Sequence, residues 1–179
     1  MSTSALSLAS TVRLSSGCMM PLLGLGVYQN YHTAGSVVDA LAAGYSGIHH
    51  LEEIENAALE LPSVNQIELH PFCQQKPIVA WCRARNIVVQ AYCPLIRGRM
   101  DHPTIVALAK KYNRDPAHIL LRWSLQHGFS PLPKSEHKER IISNANLYDF
   151  ELDGDDMAAL DALDKGDEGA IQWNPIHVP

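Results

Sequence analysis

The segment Pro131-Leu132-Pro133-Lys134-Ser135, with Arg140 and Asn144 beyond it, gathers residue types suited to holding a phosphate. The pattern predicts a strand over Phe129–Leu132, then a helix over Glu136–Ala145 capped by Ser135. The free N–H groups of a helix N-terminus favour an anion. Lys134 would add a compact point charge and Arg140 a planar fork of donors. The same residues would also serve as an ordinary capped helix with solvated charges, since capping serines are common. Two other sets of reactive side chains stand out. Cys18, Cys73, Cys82 and Cys93 lie far apart with no C-x-x-C spacing, so they read as buried thiols rather than a disulfide framework or a zinc site. His49 and His50 are adjacent, and adjacent helical residues point about 100° apart. They read as a solvated helix face, and no metal site is expected.

The elements that would position these groups alternate along the chain. Thr11–Leu14 and Met19–Met20 flank the turn Ser15-Ser16-Gly17 and predict a small hairpin. Leu22–Val27 follows as a short strand interrupted by Gly24 and Gly26. Val37, Val38, Leu41 and Ala42 recur at helical spacing, with Gly44 as a stop. Ser46 then caps another helix, with Ile48, Leu51, Ile54 and Leu59 on its apolar side and Pro62 past its end. Strands over Val64–Leu69 and Ile87–Tyr92 alternate with a helix over Pro77–Arg85. Helices over Thr104–Tyr112 and Pro116–His127 follow. The second has Asp115 as cap, Pro116 at its first position and Gly128 at its end. A last helix runs from Gly154 to Leu163. Such alternation implies a parallel sheet with helical crossovers. One junction breaks the rhythm, because the helix ending at Gly44 meets the helix at Ser46 with no strand between them.

Composition narrows the possible functions. A chain of 179 residues with 46% hydrophobic content can bury one core, read here as a single domain over 11–179 behind a disordered tail over 1–10. A net charge of −5 leaves no basic stripe for nucleic acid and no polybasic segment for a membrane surface. No apolar run approaches the roughly 20 residues that span a bilayer. The start MSTSALSLASTV lacks the basic beginning and apolar centre of a secretory signal, and a mitochondrial presequence would want several arginines where only Arg13 is near. A cytoplasmic location is expected.

Several segments together resemble the aldo-keto reductases. Met20–Tyr28 (MPLLGLGVY) resembles their first barrel strand, and Asn65–Pro71 (NQIELHP) their NQ-x-E-x-HP strand. Val88–Leu95 (VVQAYCPL) is similar to the strand that presents an aromatic ring to the nicotinamide. PLPKS-x4-R-x3-N is similar to the family's NADP-binding signature, and Phe150-Glu151-Leu152 with Met157 to its final helix. The resemblance implies NADPH as cofactor and an α/β fold, a partial (β/α)8 TIM barrel with an N-terminal β-hairpin. About four of the eight parallel strands, the first, sixth, seventh and eighth, would be kept with their outer helices. It further implies that Lys134, Ser135 and Arg140 hold the 2′-phosphate and that Asn144 contacts the adenine. Tyr92 would stack on the nicotinamide, and Gln66 would reach the carboxamide. Cys93, Leu95 and Arg97 would follow the pyrophosphate, and Gly26-Val27-Tyr28 would line the mouth with Tyr28 facing a small-molecule carbonyl substrate.

In the family, a stretch beginning G-Y continues R-H-I-D-T-A toward the catalytic aspartate and tyrosine. Here Gly44-Tyr45 passes directly into Ser46-Gly47-Ile48-His49-His50-Leu51, which resembles the helix after the fifth strand. Against a barrel of roughly 250 residues, a block of about a hundred is missing at the 45/46 join. With it go the aspartate, tyrosine, lysine and histidine of the catalytic set and a Ser-Asn pair that helps hold the carboxamide. Tyr28, Tyr31 and Tyr45 are the tyrosines nearest the join, but a general acid needs placement and a tuned pKa that an accidental tyrosine lacks. Three readings follow from the resemblance. The chain is a reductase by descent with impaired catalysis, a non-catalytic NADPH-binding or interaction module, or a product of splicing or of a misread gene structure. A half-barrel would also expose sheet edges, which favours a homo-oligomer.

Overall fold

A computed structural model gives the arrangement of residues Ser7, 10–23, Glu55 and 61–172. Strands β1 (Thr11–Arg13) and β2 (Met19–Pro21) form the antiparallel hairpin, with Thr11 opposite Pro21 and Arg13 opposite Met19. Gly17 at φ +88° makes the turn possible, since a left-handed backbone suits a residue without Cβ. Its neighbour Cys18 is exposed, contrary to the buried thiol expected, because the hairpin turn projects it outward. Cys73 and Cys82 are buried and Cys93 is half-buried, and all four thiols are free.

The central sheet has three parallel strands in the order β3 (Val64–Glu68), β4 (Val88–Tyr92) and β5 (Ser130–Pro131). Helix α1 (Lys76–Ala84) carries the chain from β3 to β4, and α2 (Pro103–Tyr112) with α3 (Pro116–Gln126) carries it from β4 to β5. Two helices follow, α4 (Lys138–Asn144) and α5 (Gly154–Asp161). Alternate strand residues point to opposite faces. One face sends Ile67, Val89 and Ala91 into the main core, where Ile78, Val79, Ile105, Leu120 and Trp123 of the helices meet them. The other face carries Val64, Gln66, Val88, Gln90 and Tyr92, all half-buried.

Local chemistry explains the helix boundaries. Asp115 accepts the N–H of Ala117 at 2.9 Å, while His118 Nδ1 accepts the N–H of Asp115 at 3.4 Å, a reciprocal cap at the start of α3. Pro116 takes the first helical position, where its missing N–H costs nothing. Gly128 at φ +75° ends the helix, as its place in the sequence predicts. Arg122, only 2% exposed, reaches from α3 to the carbonyl of Leu147 and the carboxylate of Glu151, so α3 pins the segment that joins α4 to α5. Lys111 and Tyr112 of α2 bind Asp156 at 2.7 and 2.5 Å, which seats α5. A smaller core of Leu22, Leu121, Leu125 and Leu147 joins the hairpin to α3.

Several boundaries differ from the sequence reading. Helix α1 starts at Lys76, α5 ends at Asp161, and β5 is only two residues long. The third helix-and-cap expectation fails more instructively. Helix α4 begins at Lys138 with His137 at its cap position, and Ser135 stays outside it. Ser135 Oγ instead accepts the N–H of His137 at 3.1 Å, a local serine turn that competes with helical pairing. Glu55 lies in a helix, and its carboxylate takes two bonds from the Arg85 guanidinium at 2.8 and 2.6 Å. The tail over 1–10 apart from Ser7 and Ser10, the strand expected over Leu22–Val27 beyond the bend at Leu22 and Leu23, the helices expected on either side of Gly44 apart from Glu55, and the 45/46 join lie outside the described residues. Among the described residues no helix is long and apolar enough to cross a membrane.

Asp115→Ala removes the side-chain half of the α3 cap and should destabilise the fold by about 1 kcal/mol, read as a lower urea midpoint at unchanged slope. An unchanged midpoint would contradict the capping role.

Candidate functional site

A parallel sheet with helices on its faces offers a ligand the loops beyond the carboxyl ends of its strands. Here those ends are tied side by side. The N–H of Leu69 reaches the carbonyl of Tyr92 at 3.3 Å, and the N–H of Leu132 reaches the carbonyl of Ala91 at 3.0 Å. The ends of β3, β4 and β5 thus form one continuous rim. Gln66 stands opposite Gln90, and its Nε2 donates to Gln90 Oε1 at 2.7 Å. Tyr92 stands opposite Glu68 at the same rim. Burial, and next the negative charge of Glu68, push the Tyr92 phenol well above the usual tyrosine range. Its ring is therefore a neutral, half-buried surface.

Beyond Tyr92 the chain turns sharply. Cys93, Ile96 and Arg97 all sit at φ +51°, the left-handed region, which is rare for any residue with a Cβ and rarest for a β-branched one. Each such residue costs of order 1–3 kcal/mol, and runs of them occur where surrounding structure fixes the backbone for a purpose. The turn is closed by the N–H of Ile96 on the carbonyl of Cys93 at 3.0 Å and the N–H of Gly98 on that of Leu95 at 2.8 Å. Leu95 is half-buried and Arg97 exposed. Burial, then Glu68, raise the pKa of the Cys93 thiol, with Gln172 and Arg97 beside it acting in the opposite direction.

At the exit of β5 the cationic residues are presented to solvent. Lys134 Nζ bonds Glu136 Oε1 at 2.6 Å, and Arg140 on α4 is exposed with no ion pair among the described residues. Asn144, at the end of α4, is buried. His118 ties α4 to α3, with its Nε2 2.9 Å from the carbonyl of Ser143 and 3.0 Å from the Ser143 hydroxyl. The structure thus brings Gln66, Tyr92, Cys93 and Leu95 onto the ends of β3 and β4. Lys134 and Ser135 lie just past β5, with Arg140 and Asn144 on the next helix. Tyr28 lies outside the described residues.

Two residues were not singled out in the sequence, Glu68 at this rim and His118 between α3 and α4. Glu68, 2% exposed, accepts His70 Nε2 at 3.0 Å, the N–H of Ile171 at 2.6 Å and the N–H of Gln172 at 3.0 Å. Burial alone would raise its pKa, but these hydrogen bonds outweigh it and hold the carboxyl below the usual glutamate range. No local pattern marked it, since it shares the non-core face of its strand with Gln66, yet a carboxylate buried there demands donors from elsewhere. His118 is the second. A histidine in the first turn of a helix gives no hint that it bridges to another helix 25 residues later.

A parallel α/β unit whose polar and aromatic groups meet at the carboxyl ends of its strands has an arrangement shared by TIM barrels and doubly wound sheets. Comparison with known proteins makes this specific, because residues 30–165 match the Aldo/keto reductase family. The uncharacterized oxidoreductase YtbE of Bacillus subtilis is 42% identical over 129 residues, which are 72% of this chain and 46% of that protein. Glyoxal reductase of the same organism is 40% identical over 129 residues, covering 72% of this chain and 47% of that protein. The chain spans about half the length of the curated relatives it matches. The crystal structure of apo Gox0644 superposes with a TM-score of 0.69 at 37% identity, covering 73% of this chain and 48% of that one. A mutant of Gox0644 solved in complex with NADPH gives the same figures. An aldo/keto reductase from Brucella melitensis covers 87% of this chain and 99% of its own with a TM-score of 0.73; at 21% identity this likeness concerns the fold alone. The chain belongs to the aldo/keto reductase family.

Thiol accessibility tests the placement of the rim and core. Cys18 should react at once with a disulfide reagent and Cys93 more slowly. Burial pushes the Cys73 thiol to about 12 and also raises Cys82, so both should stay silent until denaturant is added. Four thiols reacting together in the native protein would contradict the fold.

Proposed function

We propose that this chain is an internally shortened aldo/keto reductase that keeps the NADPH-gripping part of the barrel and is impaired in catalysis. The observation that carries the proposal is the placement of Lys134 and Ser135 immediately past β5, in the same rim as Tyr92 and Gln66. On this reading residues 11–179 are one domain, and β3, β4 and β5 are the sixth, seventh and eighth strands of the family's barrel. The first strand comes from the segment after the hairpin.

Lys134, Ser135 and Arg140 hold the 2′-phosphate of NADPH, and Asn144 contacts the adenine. The exposed charges of Lys134 and Arg140 fit a dianion, which would displace Glu136 from Lys134. Cys93, Leu95 and Arg97 follow the pyrophosphate across the left-handed turn. Tyr92 offers a neutral aromatic face to the nicotinamide, and Gln66 exchanges its bond with Gln90 for one to the carboxamide. Tyr28 faces the substrate, a small carbonyl compound in the intact family. The cofactor, when bound, supplies the hydride for carbonyl reduction, and this chain's own residues bind and orient it. The aspartate, tyrosine, lysine and histidine that would place and protonate the carbonyl belong to the block missing at the 45/46 join, so no catalytic residue is assigned.

A second reading, an NADPH-binding module with no reductase role, draws on the same observation and differs only in the use of the bound cofactor. A cytoplasmic location and self-association through the open sheet edges of a partial barrel complete the proposal, and self-association should appear as a dimer in sedimentation.

Fluorescence titration with NADPH and NADH tests the binding half. Saturable NADPH binding should exceed NADH binding by about tenfold or more, the effect of one lost charge-assisted contact set. The double variant Lys134→Ala, Arg140→Ala should erase the preference. Equal affinities, or no saturable binding of either cofactor, would overturn the proposal. Consumption of NADPH with small aldehydes tests the other half: little or none is expected, and turnover at an ordinary reductase rate would overturn the claim of impairment.

A further inference from the structure

The segment 164–172 lies along the connection from β3 to α1 and is fastened to it at successive points. Asp164 Oδ1 accepts the N–H of Gln74 at 3.2 Å, and its other oxygen meets Lys76 Nζ at 2.9 Å. The N–H of Lys165 donates to the carbonyl of Phe72 at 2.9 Å. Gly169 then passes so close that a Cβ built on it would stand 1.7 Å from the carbonyl oxygen of Phe72. Its φ is not in the left-handed region, so close approach rather than backbone freedom demands the glycine there. The last fastening is Glu68, whose two carboxylate oxygens accept the N–H groups of Ile171 and Gln172.

We infer that Glu68 is a positioning residue: its buried carboxylate latches the segment 164–172 across the ends of β3 and β4, making Ile171 and Gln172 a wall at the nicotinamide end of the proposed cofactor face. The latch stands on the contacts just given, while the wall rests on the reading of Tyr92 as the nicotinamide platform. Three features of the structure converge on this role. A buried carboxylate persists only when its lone pairs are filled, and three donors converge on Glu68 from two separate parts of the chain. Glu68 stands in register with Tyr92, so what it holds lies beside that ring. The far end of the strap meets the turn after β4 as well, because Gln172 lies beside the Cys93 thiol. The latch thus joins strand ends, strap and turn into one wall.

Glu68→Gln keeps the shape but has one acceptor oxygen for three donors, so at least one strap N–H must face an amide donor. Gly169→Ala attacks the same strap from its other side and leaves the carboxylate untouched, a safeguard should the first variant fold poorly. Hydrogen exchange of the cofactor-free protein is the first readout. Both variants should speed exchange of the amides in 165–172 by about tenfold or more while amides of 88–92 and 119–125 keep their protection. Binding is the second readout. NADPH should weaken by about fivefold or more, whereas adenosine 2′,5′-bisphosphate, which lacks the nicotinamide, should stay within about twofold.

Unchanged exchange at 165–172 in both variants would overturn the latch. Faster exchange with both ligands weakened alike would overturn the wall, since a general loss of structure moves both. If the unaltered protein binds neither ligand, the cofactor reading fails and the wall with it, while exchange still decides the latch.

Discussion

Parallel pairing of β3 with β4 sets Gln66 beside Gln90 and Glu68 beside Tyr92, and the arrangement of the rim follows from that register. A slip of one residue would turn Gln66 and Glu68 into the apolar core and lift Ile67 out of it, exchanging the two faces of the strand. The buried face resists such a slip, because Ile67, Val89 and Ala91 are packed against three helices. Burying an aliphatic side chain contributes roughly 1.5–3 kcal/mol, whereas a neutral side-chain pair such as Gln66 with Gln90 contributes about 1. Packing on the helical side therefore dictates where the polar residues of the other side stand.

The same register creates an obligation. Glu68 is held at the end of a strand away from water, and a charge in that position needs donors. They come from His70 two residues on and from a segment about a hundred residues later, so a local strand becomes dependent on the far end of the chain. Arg122 plays a comparable part on the other side of the molecule, where a buried guanidinium collects the carbonyl of Leu147 and the carboxylate of Glu151. Both groups convert a desolvation cost into long-range order.

These two kinds of order explain what was legible in the sequence. The strands over Val64–Glu68 and Val88–Tyr92, and the helix capped by Asp115 and closed by Gly128, follow from alternation and capping chemistry within a few residues. The family resemblance was equally legible, because its motifs are short and ordered along the chain. The start of α4 was misread since Ser135 can satisfy an N–H either as a helix cap or in a serine turn, and the choice depends on where Lys138 begins its helix. Cys18 was misread because a turn residue and a core residue look alike in composition. The partners of Glu68, Arg122 and His118 were beyond reach, since no spacing rule links residues brought together by tertiary packing. Gly169 carried no signal either, because its glycine answers a close approach by a remote carbonyl.

The chain matches its relatives over about half their length, and on the proposed reading this half still assembles a cofactor face. An NMR titration of isotope-labelled protein with NADP+ tests it most directly. Progressive, saturable shifts are expected, confined to the amides of Gln66, Tyr92–Arg97, Lys134–Asn144 and the strap residues Ile171 and Gln172, with the hairpin amides of 11–21 unmoved. Shifts scattered over the surface without saturation, or no shifts at all, would contradict it.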